Sequence, residues 1–117
     1  MIVFLDSTFL FTAGLSPNGA AASFLKKPPA KLKLVTGKAS LVNTLRNLEA
    51  RDWSFVRNLH RSIFHLEVLP SMGGNEVDAA QAASASLLLS FDPSRHEKSA
   101  VRALSLAELK VELSYET

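Results

Sequence analysis

The chain opens on four consecutive apolar residues, Ile2-Val3-Phe4-Leu5, followed at once by Asp6-Ser7-Thr8. An uninterrupted apolar run of this length predicts a strand buried on both faces, with polar groups delivered to its carboxyl end. Residues Thr8 to Leu15 are apolar and predict a short helix, closed by the turn residues Ser16-Pro17-Asn18-Gly19. An alanine-rich helix follows from about Gly19 to Lys27, with Phe24 and Leu25 inward, and Pro28-Pro29 stops it. From Lys31 to Thr36 the alternation predicts a strand with Leu32 and Leu34 on one face and lysines on the other.

Between Lys38 and Arg51, Leu41, Leu45 and Leu48 recur at helical spacing. Asp52 can cap the next helix, whose apolar stripe reads Trp53, Val56, Leu59 and Ile63, flanked by Phe55 and Phe64. His65 to Leu69 predicts a strand, Pro70 to Gly74 a sharp loop, and Asn75 to about Ala85 a helix whose alanines permit close packing. Leu87-Leu88-Leu89 is a second buried-strand run, again followed by an acid in Ser90-Phe91-Asp92. Val101 to Leu104 makes a last strand, and Ser105-Leu106-Ala107-Glu108 fits a capping box opening a helix to about Leu113. This order predicts an α/β fold, a three-layer sandwich with a central, mostly parallel sheet flanked by helices, formed as a single domain over residues 1–117.

Composition narrows the class. Hydrophobic residues at 47% and charged residues at 21% suit a globular protein, so neither disorder nor a membrane span is expected. No cysteine is present, which excludes disulfides and thiolate metal sites and suits a cytoplasmic location. No basic residue precedes the first apolar run and Asp6 interrupts it, which speaks against a signal peptide. The formal charge of +2 is compatible with nucleic acid without requiring it.

The candidate chemistry sits after the two buried strands. Asp6 and Asp92 occupy equivalent places there, and adjacent parallel strands would bring the two carboxylates to one sheet edge, where ligands bind in open α/β sheets. Lys31, Lys33, Arg46, Arg57 and Arg61 are candidates for phosphate contact, and the same residues read equally as solvated surface. His60 and His65 are poorly spaced for a metal; His96 lies just after Asp92 and could approach the site, but reads first as an exposed loop histidine. Ser7 and Ser90 lack a partnering base, and Gly73-Gly74 has no phosphate-loop spacing, so it reads as a turn.

The opening residues 2–8, then Phe9-Leu10-Phe11 and Ser16-Pro17-Asn18-Gly19, resemble the start of PIN domains, which begin with a hydrophobic strand and Asp-Thr-Asn. The likeness continues through Ser40 to Arg46. Ala85 to Asp92 is similar to that family's Ala-Asp-hydrophobic-Thr-x-Asp segment, and Val101 to Ser105 to its closing strand.

The resemblance implies a metal-dependent nuclease fold, often an RNA-cleaving toxin of a toxin-antitoxin pair, in which clustered acids hold Mg²⁺ or Mn²⁺. Asp6 and Asp92 match two of the four acids as metal ligands and catalytic residues. The other two positions fall on Thr44 and on Gly73 or Gly74, with Glu76 or Asp78 within one turn of the latter and able to assist. The expectation is therefore a degenerate PIN-like domain, a nucleic-acid-binding or interaction module with impaired catalysis. The alternative is an endoribonuclease with a reduced Mg²⁺ or Mn²⁺ site. Expected partners are RNA, an antitoxin-like protein or a second copy of the chain, and not a membrane.

Overall fold

The computed structural model describes residues 1–70, 75–96 and 99–115. Five strands form one sheet: β1 (Ile2–Leu5), β2 (Lys33–Gly37), β3 (Leu66–Leu69), β4 (Leu87–Leu89) and β5 (Arg102–Leu104), in the order β3-β2-β1-β4-β5. Every pairing is parallel. Among the described residues six helices surround it: α1 (Ser7–Leu15), α2 (Ala20–Lys26), α3 (Lys38–Arg51), α4 (Trp53–Ser62), α5 (Glu76–Ala82) and α6 (Leu106–Tyr115). A 3₁₀ turn at Pro93–His96 links β4 to β5. The result is the three-layer α/β sandwich, with the sheet wholly parallel. Among the described residues no helix is long and apolar enough to cross a membrane.

The pleat divides the core. Val3, Leu5, Leu34, Leu87 and Leu89 join Phe9, Leu10, Leu48, Val56 and Leu59 of the helices on one face. Phe4, Val35 and Leu88 meet Ala80 of α5 on the other. The central strands therefore read as continuous apolar runs because both faces are covered. β2 departs from its expected alternation for the same reason: beyond Lys33 it is buried on both sides.

Two helix faces also differ from the apolar spacing. The buried line of α3 is Ser40, Thr44 and Leu48, while Leu41 and Leu45 pack only partly against the core. In α4, Val56 and Leu59 are buried but Trp53, its first residue, is 60% exposed, and Phe64, beyond its end, is 79% exposed. Both aromatics flank the two-turn segment that holds the buried contacts.

Caps set the helix boundaries. The Asp52 carboxylate accepts the Ser54 amide at 2.8 Å, and bonds from the Ser54 amide and hydroxyl hold its carboxyl below the ordinary range. Ser105 and Glu108 form the expected reciprocal capping box at the start of α6. Helix α5 opens on a second box between Asn75 and Asp78. It closes on Ser84 at φ 57°, with Ala85 N–H reaching Ala80 O and Ser84 N–H reaching Gln81 O, the bond pair of a Schellman motif.

Candidate functional site

The site lies at the carboxyl edge of β1 and starts from Asp6. This side chain is fully buried, and it is the N-cap of α1: its Oδ1 accepts Phe9 N–H at 3.0 Å and Thr8 Oγ1 at 2.6 Å. An acid is stabilised here because the unpaired amides of a helix N-terminus point at it.

A second acid shares that helix end. Asn75 turns the chain into α5 so that Glu76, its first residue, reaches across to α1. Glu76 Oε2 accepts the Ser7 amide at 2.8 Å and Ser40 Oγ at 2.7 Å, while Oε1 accepts Ser7 Oγ at 3.2 Å. Three elements thus converge on one carboxylate. Ser40 belongs to the buried line of α3, and the hydroxyl of Thr44, one turn on, bonds back to Ser40 O. The residue α3 gives to the site is therefore Ser40, whereas Thr44 is buried and satisfied within its own helix.

Two partners arrive from the 3₁₀ turn. His96 is buried, and its Nε2 lies 2.9 Å from Asp6 Oδ2. An ionised carboxylate only accepts, so Nε2 donates in this contact. Arg95 places guanidinium nitrogens 3.9 Å from Asp6 Oδ2 and 3.9 Å from Glu76 Oε1. Ligand atoms of Asp6, Glu76 and His96 all lie within 4.8 Å of one another.

Asp92 stands elsewhere. The register aligns Leu5 with Leu89, and Asp6 N–H bonds to Leu89 O, so the residue level with Asp6 is Ser90, two positions earlier. Ser90 Oγ contacts Thr8 Oγ1 at 3.0 Å. Asp92 is exposed, accepts the Ser94 hydroxyl, and starts the 3₁₀ turn through its carbonyl bond to Arg95 N–H. It is not among the three grouped ligand residues. Asp78 is exposed and serves the α5 cap, and Gly73 and Gly74 lie outside the described residues.

The basic candidates are dispersed. Lys33 begins β2 and pairs with Glu67 at 3.1 Å, and Lys31 accepts the N-terminal ammonium on its carbonyl. Arg46, Arg57 and Arg61 are exposed on α3 and α4. None of these five lines the groove of about 580 Å³ that adjoins the site. That groove is lined by Thr8, Phe11, Asn43, Asn47, Arg51 and Arg95 among others, with the Arg51 guanidinium 5.1 Å from the Phe11 ring centroid.

The site thus contains two contributors that spacing alone did not single out, Ser40 and Arg95, and it buries His96, whose place just after Asp92 allowed an approach to the site but which read first as exposed. The available signal for Arg95 and His96 was Asp92-Pro93-Ser94, an acid before a proline at a helix-starting position, which turns the next residues back toward the sheet.

The residues do not fit a Mg²⁺ ion as they are arranged. All four carboxylate oxygens already face protein donors, and a permanent guanidinium charge stands near both acids. A hard cation demands near-octahedral oxygen ligands at about 2.1 Å, and admitting one here requires Arg95 to leave and His96 to give up its bond to Asp6. No protein-family model and no curated protein sequence matches the chain.

Proposed function

We propose that this chain is a nucleic-acid-binding module on a degenerate PIN-like domain, in which an internally neutralised acidic site has replaced a metal-dependent one. The observation that carries this reading is the pairing of Asp6 with His96 and of both Asp6 and Glu76 with Arg95. The adjoining groove supplies what a phosphate backbone uses: Arg51 and Arg95 for charge, and Asn43, Asn47 and Thr8 for hydrogen bonds.

The test is retention of a fluorescent single-stranded RNA 12-mer in EDTA, with cleavage of the same RNA followed in Mg²⁺ and Mn²⁺. The expected result is metal-independent binding without cleavage. It weakens in R51Q and weakens further in R95Q, which also uncovers the two acids. Mn²⁺-dependent cleavage that disappears in D6N sinks the proposal.

That opposite outcome defines a second reading, a one-metal endoribonuclease, favoured by the convergence of Asp6, Glu76 and His96 within 4.8 Å.

A further inference from the structure

The net charge of +2 conceals a strong polarity. Residues 7–48 contain six basic side chains and no acid, while the remainder holds seven basic side chains and eleven acids. Four of the six, Lys26, Lys27, Lys31 and Lys33, fall within eight residues.

The fold gathers this charge at one pole. Lys26 and Lys27 end α2, and Lys33 begins β2, where it is in register with Ile2. In a parallel sheet all strand starts share one edge, so the lysines stand at the amino edge and the Asp6 site at the carboxyl edge. The strands between them are four to five residues long, about 15 Å. An open groove of about 570 Å³ lies at this amino edge, with Lys26, Lys27, Pro28, Pro29, Lys33 and His65 among its lining residues. Glu67 is the acid in the lining, and Lys33 pairs with it. Lys26 Nζ donates to Pro17 O, a neutral carbonyl, and Lys27 is exposed.

From this we infer that the lysine groove at the amino edge is a second, sequence-independent contact for a nucleic-acid phosphate backbone. The proposal rests on the nucleic-acid reading above and extends it to a remote surface. A phosphodiester chain is favoured over an acidic protein by the lining. The lining holds no Phe, Tyr or Trp to anchor a protein partner, and its two leucines, Leu32 and Leu34, are buried, which leaves lysine charges beside Pro28, Pro29 and Ala30. Lysine supplies a flexible point charge that places a phosphate without reading a base.

The experiment compares a single-stranded oligouridylate 20-mer binding to wild type, K26Q/K27Q and R51Q between 50 and 200 mM KCl, with thermal melting to establish that each variant is folded. Each phosphate neutralised on a single strand contributes about 0.7 to the slope of log K against log salt, so K26Q/K27Q is expected to flatten the slope by about 1.4. That is about a sevenfold smaller affinity loss across this salt range. An unchanged slope in K26Q/K27Q with weakened binding in R51Q overturns the lysine groove and leaves the proposed function standing. A flattened slope in K26Q/K27Q with R51Q unaffected supports the lysine groove and removes the site groove from the binding surface. Binding of polyglutamate as tight as that of the oligonucleotide at equal charge overturns the choice of phosphate.

Discussion

Replacing His96 by alanine tests whether the chain's own donors hold the place beside the acids that a cation would otherwise take. Asp6 is fully buried and takes three hydrogen bonds, from Thr8 Oγ1 at 2.6 Å, Phe9 N at 3.0 Å and His96 Nε2 at 2.9 Å. H96A deletes the third and leaves Oδ2 with the Arg95 guanidinium at 3.9 Å. A hydrogen bond to a charged group contributes about 1.5 to 3 kcal/mol. Arg95 is 43% exposed and can close part of the gap, so the expected cost is about 2 kcal/mol. With 117 residues and an unfolding entropy of about 2.1 cal/mol/K per residue, this corresponds to a Tm lowered by about 8 °C.

Far-UV circular dichroism melts of wild type, H96A, D6N and the double variant separate the pair from general packing loss. In the D6N background the acceptor carries no charge, and H96A is expected to cost at least about 1 kcal/mol less than in wild type. Manganese supplies the second arm. Wild type is expected to melt at the same temperature with or without MnCl₂, whereas H96A, with a vacated place beside two carboxylates, is expected to gain stability. At a hundredfold excess over Kd the gain is about 2.7 kcal/mol. A wild-type Tm that rises with Mn²⁺ as much as that of H96A refutes the claim that Arg95 and His96 occupy the cation's place. Equal costs of H96A in the two backgrounds refute the claimed coupling to Asp6.

Three further outcomes follow from the fold. Ser84 closes α5 at φ 57°, a conformation costing an L-residue about 1 to 2 kcal/mol, against the entropic penalty of about 0.5 to 1 kcal/mol for glycine. S84G is therefore expected to stabilise by about 0.5 kcal/mol in urea melts, and a destabilised variant contradicts the strain argument. Gly14 sits where α1 meets α3 and α4, and an added Cβ would stand 2.6 Å from Leu48 Cδ1 and 3.3 Å from Phe55 O. Leu48 is fully buried, so overpacking of about 1 to 3 kcal/mol outweighs the helix-propensity gain of about 1 kcal/mol, and G14A should lower the urea midpoint. The depressed Asp52 carboxyl contributes stability that is present above the ordinary aspartate range and lost as pH falls through its lowered folded value. An acid titration in which D52N and wild type lose stability in parallel argues against that contribution.

The layer architecture was legible because its signals are local. Uninterrupted runs such as Ile2–Leu5 and Leu87–Leu89 mark strands covered on both faces, and the alternation of strands with helices leaves a parallel sheet as the economical arrangement. The site was legible only in part because it depends on register and on side chains from four separate segments. Asp6 was visible from its place at a strand end. Asp92 shared that appearance, but the pairing of Leu5 with Leu89 puts Ser90 level with Asp6 and leaves Asp92 in the following turn. Glu76 was visible as an acid near the start of α5, yet its reach to the Ser7 amide is a contact across 69 residues that no periodicity records. His96 read as exposed because its segment is polar. The turn that buries it depends on Asp92, Pro93 and the bond from Arg95 N–H, not on hydrophobicity.

On the proposed reading, charge balance is the reason such a site would take a polyanion rather than a metal. Two carboxylates within 4.8 Å repel by about 3.5 kcal/mol at an effective dielectric of about 20. One guanidinium 3.9 Å from each attracts them by about 4 kcal/mol apiece on the same scale. Discounting that attraction by about half for the exposure of Arg95 still leaves it comparable with the repulsion, before the amides of α1 and the hydroxyls of Thr8 and Ser40 are counted. The acids are thereby masked from the groove, and a phosphate entering beside Thr8 and Asn47 meets Arg95 and Arg51 first. Removing Arg51 subtracts one contact. Removing Arg95 subtracts a contact and restores two repulsive charges, which is why the second substitution is expected to weaken RNA binding more than the first.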